Sequence, residues 1–176
     1  IASVGMTYVI LLGGIDLATG SIISFVNIVC AYFMVNIGMN VVLAVLLSLI
    51  ISTFIGFLNG IIIAELRMPA LIVTFASQTI FAGYAYIICG GVPISRMPES
   101  FLKLGQGYVG PIPVPVIVMV VIFAIGTFIL NKTYFGRYFY ALGGNEEAAL
   151  LSGIKNKSCK MSGIFLSDFL QVLQVW

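Results

Sequence analysis

The chain has 176 residues, of which 61% are apolar and 8% charged; histidine is absent and the net charge is +2. Charged residues normally make up about a quarter of a globular chain, so composition excludes a soluble domain and implies a polytopic membrane protein. Catalysis by a histidine base is excluded as well, and so small a net charge says little about partners.

A membrane-crossing helix needs about 20 mostly apolar residues, and breaks at polar or Gly/Pro clusters divide the chain into six segments. The first, Ile1 to Leu12, reads as the tail of a span. GGIDLATGS, Gly13 to Ser21, interrupts it. The second span runs from about Gly20 to Ile37, the third from Val41 to Ala64, the fourth from Ala70 to Cys89 and the fifth from Val114 to Leu130. A sixth starts near Met161. From Leu17 to Ala64 there is no Asp, Glu, Lys, Arg or His. Helices are expected because lipid offers free backbone groups no partner, and no stretch alternates as barrel strands do. The predicted fold class is an all-α polytopic membrane protein with about six transmembrane segments. The chain begins at Ile1 and ends at Trp176 inside apolar runs, which reads as an internal piece of a longer protein.

Orientation follows from lysine and arginine. Lys132, Arg137, Lys155, Lys157 and Lys160 all lie between the fifth and sixth spans, so the positive-inside rule makes that loop cytoplasmic. Counting back, Gly90 to Pro113 is outside, Glu65 to Pro69 inside and Asn36 to Asn40 outside. Gly13 to Thr19 is then cytoplasmic or re-entrant. Arg96 and Lys103 in the outer loop make this a majority rule.

Three constellations stand out. In the first, Gly13, Gly14, Asp16, Thr19 and Ser21 break an apolar run. Such a break survives at membrane depth when buried in protein or lining a wet cavity, and an acid there is a functional candidate. The equal alternative is that Asp16 or Ser21 caps the next helix. In the second, Gly56 and Gly60 have the GxxxG spacing that lets helices pack closely. Asn59 between them is either an interhelical hydrogen bond or a pore-facing group. Met68-Pro69 ends the following turn, and Glu65 and Arg67 read as solvated loop charges.

The third constellation is the loop Phe135 to Lys155. Gly143-Gly144 is expected to form a flexible turn, and Asn145 to cap a short helix with Glu146 and Glu147 in its first turn. Gly153 ends it. A helix of about two turns is not stable alone in water. Ala148, Ala149, Leu150 and Leu151 would face water unless covered, which is the form of a docking element; the plainer alternative is a solvated basic connector. The aromatics Tyr134, Phe135, Tyr138, Phe139 and Tyr140 are expected in a membrane-interface belt. Cys30, Cys89 and Cys159 have no metal-ligand spacing; Cys30 and Cys89 read as packing residues, and no disulfide is implied. Neither a Walker-type phosphate loop nor HExxH is present, so the chain itself hydrolyses no nucleotide and no metal or redox cofactor is implied. No dense basic and aromatic surface suggests nucleic acid.

GMTYVILLGGIDLATGS, FLNGIIIAELRMPALIVTF and NKTYFGRYFYALGGNEEAALLSGI, in this order, resemble the inner-membrane permease subunit of bacterial ribose-type (simple sugar) ABC importers. The resemblance covers roughly Ser3 to Gly163, and its last block is the most specific. It implies a permease of about ten spans of about 20 residues each, of which residues 1–176 are a partial transmembrane domain. It implies a multi-pass protein of the bacterial cytoplasmic (inner) membrane that works as a pair of permease copies, identical or homologous. The partners it implies are ABC ATP-binding subunits, which bind the ATP, and a periplasmic or lipid-anchored sugar-binding protein. By the same resemblance, residues 131–160 form the cytoplasmic coupling loop, with Gly143, Gly144, Asn145, Glu146, Glu147, Ala148, Ala149 and Gly153 docking on the ATPase. The Gly13 to Ser21 break would lie near the translocation path, for which Asn59, read from its own position, is a further candidate.

The chain departs from the family pattern at Ala18-Thr19, where Ser-Val is usual, and at Ala82, where a basic residue often precedes the glycine. Around Phe169 to Val175 a small, glycine-rich helix is expected, and the chain reads FLQVLQVW. Codons for Gln-Val-Leu-Gln-Val read one base away can encode Ala-Gly-Leu-Ala-Gly, so a frameshift before Gln171 is the expected cause. The expected function is inward transport, by alternating access, of a monosaccharide or similar small polar solute. One rival is an ion-coupled secondary transporter, for which Asp16 is the available membrane acid. The other, favoured by the altered tail, is a non-functional truncated remnant.

Overall fold

The computed structural model describes residues 2–95, 97–153, 161, 163 and 164. The apolar runs form helices at the expected places: α1 (Ala2–Leu11), α2 (Thr19–Val35), α3 (Val41–Glu65) and α4 (Ala70–Cys89). Local signals set their ends. The Asn40 side chain accepts from the Val42 N–H at 2.9 Å and starts α3. Pro69, with extended ψ of 129°, separates α3 from α4, and Gly90 ends α4 in the left-handed region at φ 61°. Among the described residues three helices are long and apolar enough to cross a membrane: α3, α4 and α6 (Val114–Lys132); α1 and α2 are shorter apolar helices.

The stretch after α4, expected as a loop, contains α5 (Glu99–Gln106) and a two-stranded antiparallel hairpin, β1 (Tyr108–Val109) and β2 (Ile112–Pro113). Tyr108 pairs with Pro113 and Val109 with Ile112. Gly110 at φ 64° supplies the positive dihedral that the first position of a primed hairpin turn requires. Met97 and Phe101 fold this segment back onto a cluster of Cys30, Met34 and Ala44, at the end of α2 and the start of α3. Cys30 is thus a packing residue, as expected; it and Cys89 are free thiols.

The helices pack in two groups. In the first, α2 lies against α3 and α4, with Ala18, Ile22, Val26 and Ile55 buried together and Phe25 and Phe81 packed on them. The second gathers α1, α6, α7 (Tyr134–Gly144) and α8 (Glu146–Leu151) around Tyr8, Ile122, Phe139, Leu142 and Ala149. Phe139 was expected in an interfacial belt with its neighbours; instead it is fully buried, edge-on to the Tyr8 ring at 5.9 Å. Helical periodicity turns Tyr134, Tyr138 and Tyr140 away from it, and all three are exposed; Phe135, one turn earlier on the same side, is exposed as well. The Tyr8 hydroxyl donates to the Gly126 carbonyl at 3.0 Å, which satisfies the one polar atom of that ring and ties α1 to α6.

Outward faces of α3 and α6 remain apolar, with Leu46, Ile50, Phe54, Val120, Phe123 and Phe128 exposed, as suits helices solvated by lipid. Glu65 and Arg67 are exposed at the α3–α4 turn. Arg96, Lys155, Lys157, Lys160 and Cys159 lie outside the described residues. So does the sixth span apart from Met161, Gly163 and Ile164, together with the FLQVLQVW tail.

Candidate functional site

The break between α1 and α2 is built from two local stop-and-start signals and one distant side chain. Gly13, at φ 72°, ends α1. Its N–H donates to the Ile10 carbonyl at 2.9 Å, and the Gly14 N–H donates to the Val9 carbonyl at 3.0 Å. That pair of bonds is the Schellman motif, which satisfies the last carbonyls of a helix. Asp16 then starts α2. Its Oδ1 accepts from the Ala18 N–H at 2.8 Å and its Oδ2 from the Thr19 hydroxyl at 3.2 Å. The carboxylate is only 5% exposed, so these bonds are made largely away from solvent.

The extended residues between the two signals are held by Thr74 of α4. Its Oγ1 accepts from the Leu17 N–H at 3.2 Å and lies 3.2 Å from the Ile15 carbonyl, to which it donates. One hydroxyl can do both because it carries a donor and two lone pairs. Backbone freed by a break inside lipid needs such partners. The Gly13 to Ser21 motif is therefore a break between two helices; the N-cap of α2 is Ala18, and Asp16 bonds the backbone and the Thr19 hydroxyl just ahead of it. Ser21 sits half-buried in the first turn of α2.

This geometry separates two substitutions. Asp16→Asn keeps an oxygen for the Ala18 N–H and an amide for the Thr19 hydroxyl, so the fold is expected to tolerate it. Asp16→Ala loses both bonds and is expected to lower stability by about 1 kcal/mol. Thermal unfolding of the two purified variants checks this; equal melting temperatures would dismiss Asp16 as the start signal of α2.

Asn59, offered as either an interhelical bond or a pore group, is buried and accepts a hydrogen bond from the Ser77 hydroxyl at 2.6 Å. It joins α3 to α4. Gly56 is buried, and a Cβ on Gly60 would stand 3.3 Å from Met161 Cγ, so close packing is the role of that glycine pair. Thr74 and Ser77 sit one turn apart on the buried face of α4 with Val73. That face brings the break and Asn59 to one helix. Neither Thr74 nor Ser77 was singled out from the sequence; the available signal was two hydroxyls at helical spacing just after Pro69.

The third constellation differs from expectation at Gly143-Gly144. These residues form the helical end of α7, not a turn. A Cβ on Gly143 would overlap the Leu11 carbonyl oxygen, whereas one on Gly144 meets nothing within 4 Å. The first glycine is there for the close approach of α7 to α1. The chain turns instead at Asn145, which is extended at φ −158°. As expected, Asn145 caps the next helix: its Oδ1 accepts from the Ala148 N–H at 3.0 Å. Gly153, at φ 83°, follows α8 in the left-handed region.

Ala149 is 4% exposed and packs inward on Phe139 and Leu142, so it is not on the exposed surface of α8. Ala148 is exposed, and Leu151 is 91% exposed. The side chains of Glu146, Glu147 and Leu150 lie outside those described. A helix of six residues, tied down through one alanine and presenting a bare leucine, has the form of a displayed element.

Residues 1–170 match the family model described as the permease component of the branched-chain amino acid transport system. The chain belongs to this family. It is 40% identical over 98% of its length to the ribose import permease protein of Haemophilus influenzae, covering 54% of that relative. It is 41% identical over 96% of its length to the ribose import permease protein of Bacillus subtilis, covering 53% of it. The L-arabinose ABC transporter permease protein of Azospirillum brasilense is 36% identical over 96% of the chain, with 49% of that relative covered. The chain thus spans about half the length of these curated relatives. No solved structure matches it. The family model carries an amino-acid description while these relatives are named for sugars.

Proposed function

We propose that this chain is part of the transmembrane subunit of an ATP-driven importer for a monosaccharide or similar small polar solute. The observation that carries the reading is identity of 36–41% to ribose and arabinose permeases along nearly the whole chain. In this reading the subunit is a transporter and not an enzyme, and it spans the bacterial inner membrane several times. It pairs with a second permease copy. ATP is bound and hydrolysed by separate ABC subunits, and a periplasmic or lipid-anchored binding protein delivers the solute. No metal or redox cofactor takes part. The path for the solute runs by the break at Gly13, Gly14, Asp16, Thr19 and Ser21. Residues 143–153 couple to the ATPase, with Ala148 and Leu151 of α8 as the contact surface.

The test is a cross-link. Leu151→Cys in the complete permease is expected to form a disulfide with a cysteine on the membrane-facing surface of the ATPase. Ala149→Cys, facing inward, should not. ATP-dependent uptake of labelled ribose or arabinose into vesicles carrying the complex is the accompanying measurement. Failure to cross-link at both Leu151 and Ala148 would sink the docking role, and uptake without ATP would sink the importer reading.

A further inference from the structure

The two helix groups are joined by the break. Gly13, Gly14, Ile15 and Leu17 lead from α1, in the group that holds the docking helix, to α2, in the group that holds Asn59 and Ser77. On the first side the docking helix is fastened to α1 at two points. Ala149 and Phe139 share a buried cluster with Tyr8 of α1, and the end of α7 at Gly143 abuts the Leu11 carbonyl. Leu11 is the last residue of α1, directly before the break. On the second side the break touches α4 at two points: Thr74 bonds to the backbone of Ile15 and Leu17, and a Cβ on Gly14 would lie 3.7 Å from Ala70 Cβ. Among the described residues the groups also meet where α5 reaches α6 and through Met161, Gly163 and Ile164: Met161 lies against Gly60, Gly163 against Leu12 and Phe139, and Ile164 is buried with Ile63 and Val73.

A push on α8 therefore has a short mechanical route. Close-packed contacts transmit displacement because they cannot be compressed. Phe139 and Gly143 pass the displacement to α1, which ends at Gly13-Gly14; beyond it residues 15–17 make no i→i−4 backbone bond and are held by Thr74 instead. We infer that residues 12–18 are the joint between the two helix groups. Tyr8 and Gly143 are positioning residues that fix α7, and through it the docking helix, to α1. Thr74 is the contact through which the joint moves α4. The inference rests on the importer reading above and adds to it the residues that carry motion from the ATPase contact to the solute path.

The joint can be locked. The 3.7 Å Cβ separation of Gly14 and Ala70 falls inside the range of about 3.5–4.5 Å that a disulfide needs. The tightest neighbour of a Cβ at Gly14 is the Val9 Cγ1 methyl at 3.1 Å, which belongs to a rotatable side chain. In the assembled transporter, with permease pair, ATPase and binding protein in lipid vesicles, the double variant Gly14→Cys/Ala70→Cys is oxidised and assayed with labelled ribose. The single variant Gly14→Cys controls for the native cysteines. Oxidation is expected to cut uptake about tenfold or more, in the range of strong allosteric coupling, while the ATPase stays bound and still hydrolyses ATP. Reduction should return the double variant to its own uptake before oxidation, which serves as its reference.

A second arm needs no cross-link. Thr74→Val keeps the shape and removes both bonds, and should lower solute moved per ATP by about fivefold to tenfold; Thr74→Ser should recover it. An oxidised pair that transports as well as the reduced one would overturn the joint. So would a pair that never forms the bond, since Gly14 and Ala70 would then not be neighbours, or a Thr74→Val variant with unchanged solute-to-ATP ratio. These results differ from failure of the importer reading, which would show as an ATPase that does not associate with the permease at all.

Discussion

Gly143→Ala is expected to destabilise the protein, while the same change one residue later is expected to be neutral or stabilising. Both glycines lie in the last turn of α7 and neither has a positive φ, so neither needs glycine for its backbone. In such a position alanine normally gains about 0.5–1 kcal/mol over glycine through helix propensity. At Gly144 that gain stands, because an added Cβ meets nothing within 4 Å. At Gly143 the added carbon would occupy the place of the Leu11 carbonyl oxygen. This neighbour is backbone and cannot rotate away, so α1 and α7 must separate. Overpacking of this kind costs about 1–3 kcal/mol, enough to reverse the propensity gain. Melting of the two detergent-solubilised variants, followed by size-exclusion recovery after heating, is the measurement. If both variants melt like the parent, the α1–α7 approach is not as close as described.

Phe139→Ala should have the other large effect. Phe139 is fully buried among Tyr8, Ile122, Leu142 and Ala149. Truncation to alanine in a core costs about 3–5 kcal/mol through lost transfer energy and the cavity left behind. Here the surroundings are lipid as much as water, so the transfer part shrinks and packing dominates. The expected loss is therefore near the lower end, about 3 kcal/mol. It includes the edge-on contact with Tyr8, a pair geometry worth about 0.5–1.5 kcal/mol. Phe135→Ala, one turn earlier in the same helix but exposed, should stay within about 0.5 kcal/mol of the parent. Tyr8→Phe should fall between them, since it removes the hydroxyl bond to Gly126 and keeps the ring. Equal stabilities for Phe135→Ala and Phe139→Ala would show that α7 is not docked through Phe139.

The apolar runs alone placed α1, α2, α3, α4 and α6 to within about two residues, the usual spread between boundary definitions. Lipid leaves a chain with long apolar runs little choice but helices, and the choice is made residue by residue. Capping was legible for the same reason. Asn40 before Val42, Asp16 before Ala18 and Asn145 before Ala148 each bond a backbone N–H two or three residues on, so sequence distance and spatial distance coincide. α5 and the β1–β2 hairpin were not read, although Gly110-Pro111 is a turn signal, because the segment owes its shape to Met97 and Phe101 packing on distant helices.

What the sequence could not determine is which face of each helix turns inward. A helix that is apolar on all sides carries almost no phase, and the neighbours that break the tie lie far along the chain. The same Gly-Gly pair ends α1 at Gly13-Gly14 and continues α7 at Gly143-Gly144; only the Leu11 carbonyl, more than a hundred residues away, explains the second. Ala149 read as a docking surface and is buried because Phe139 and Leu142 meet it. Asn59 could have faced a pore and instead finds Ser77. Thr74 became a site residue only when α4 was laid beside the break. Composition and local capping thus determined the membrane, the spans and their starts, and tertiary packing alone decided which polar and small residues serve one another, because those partners are joined through space.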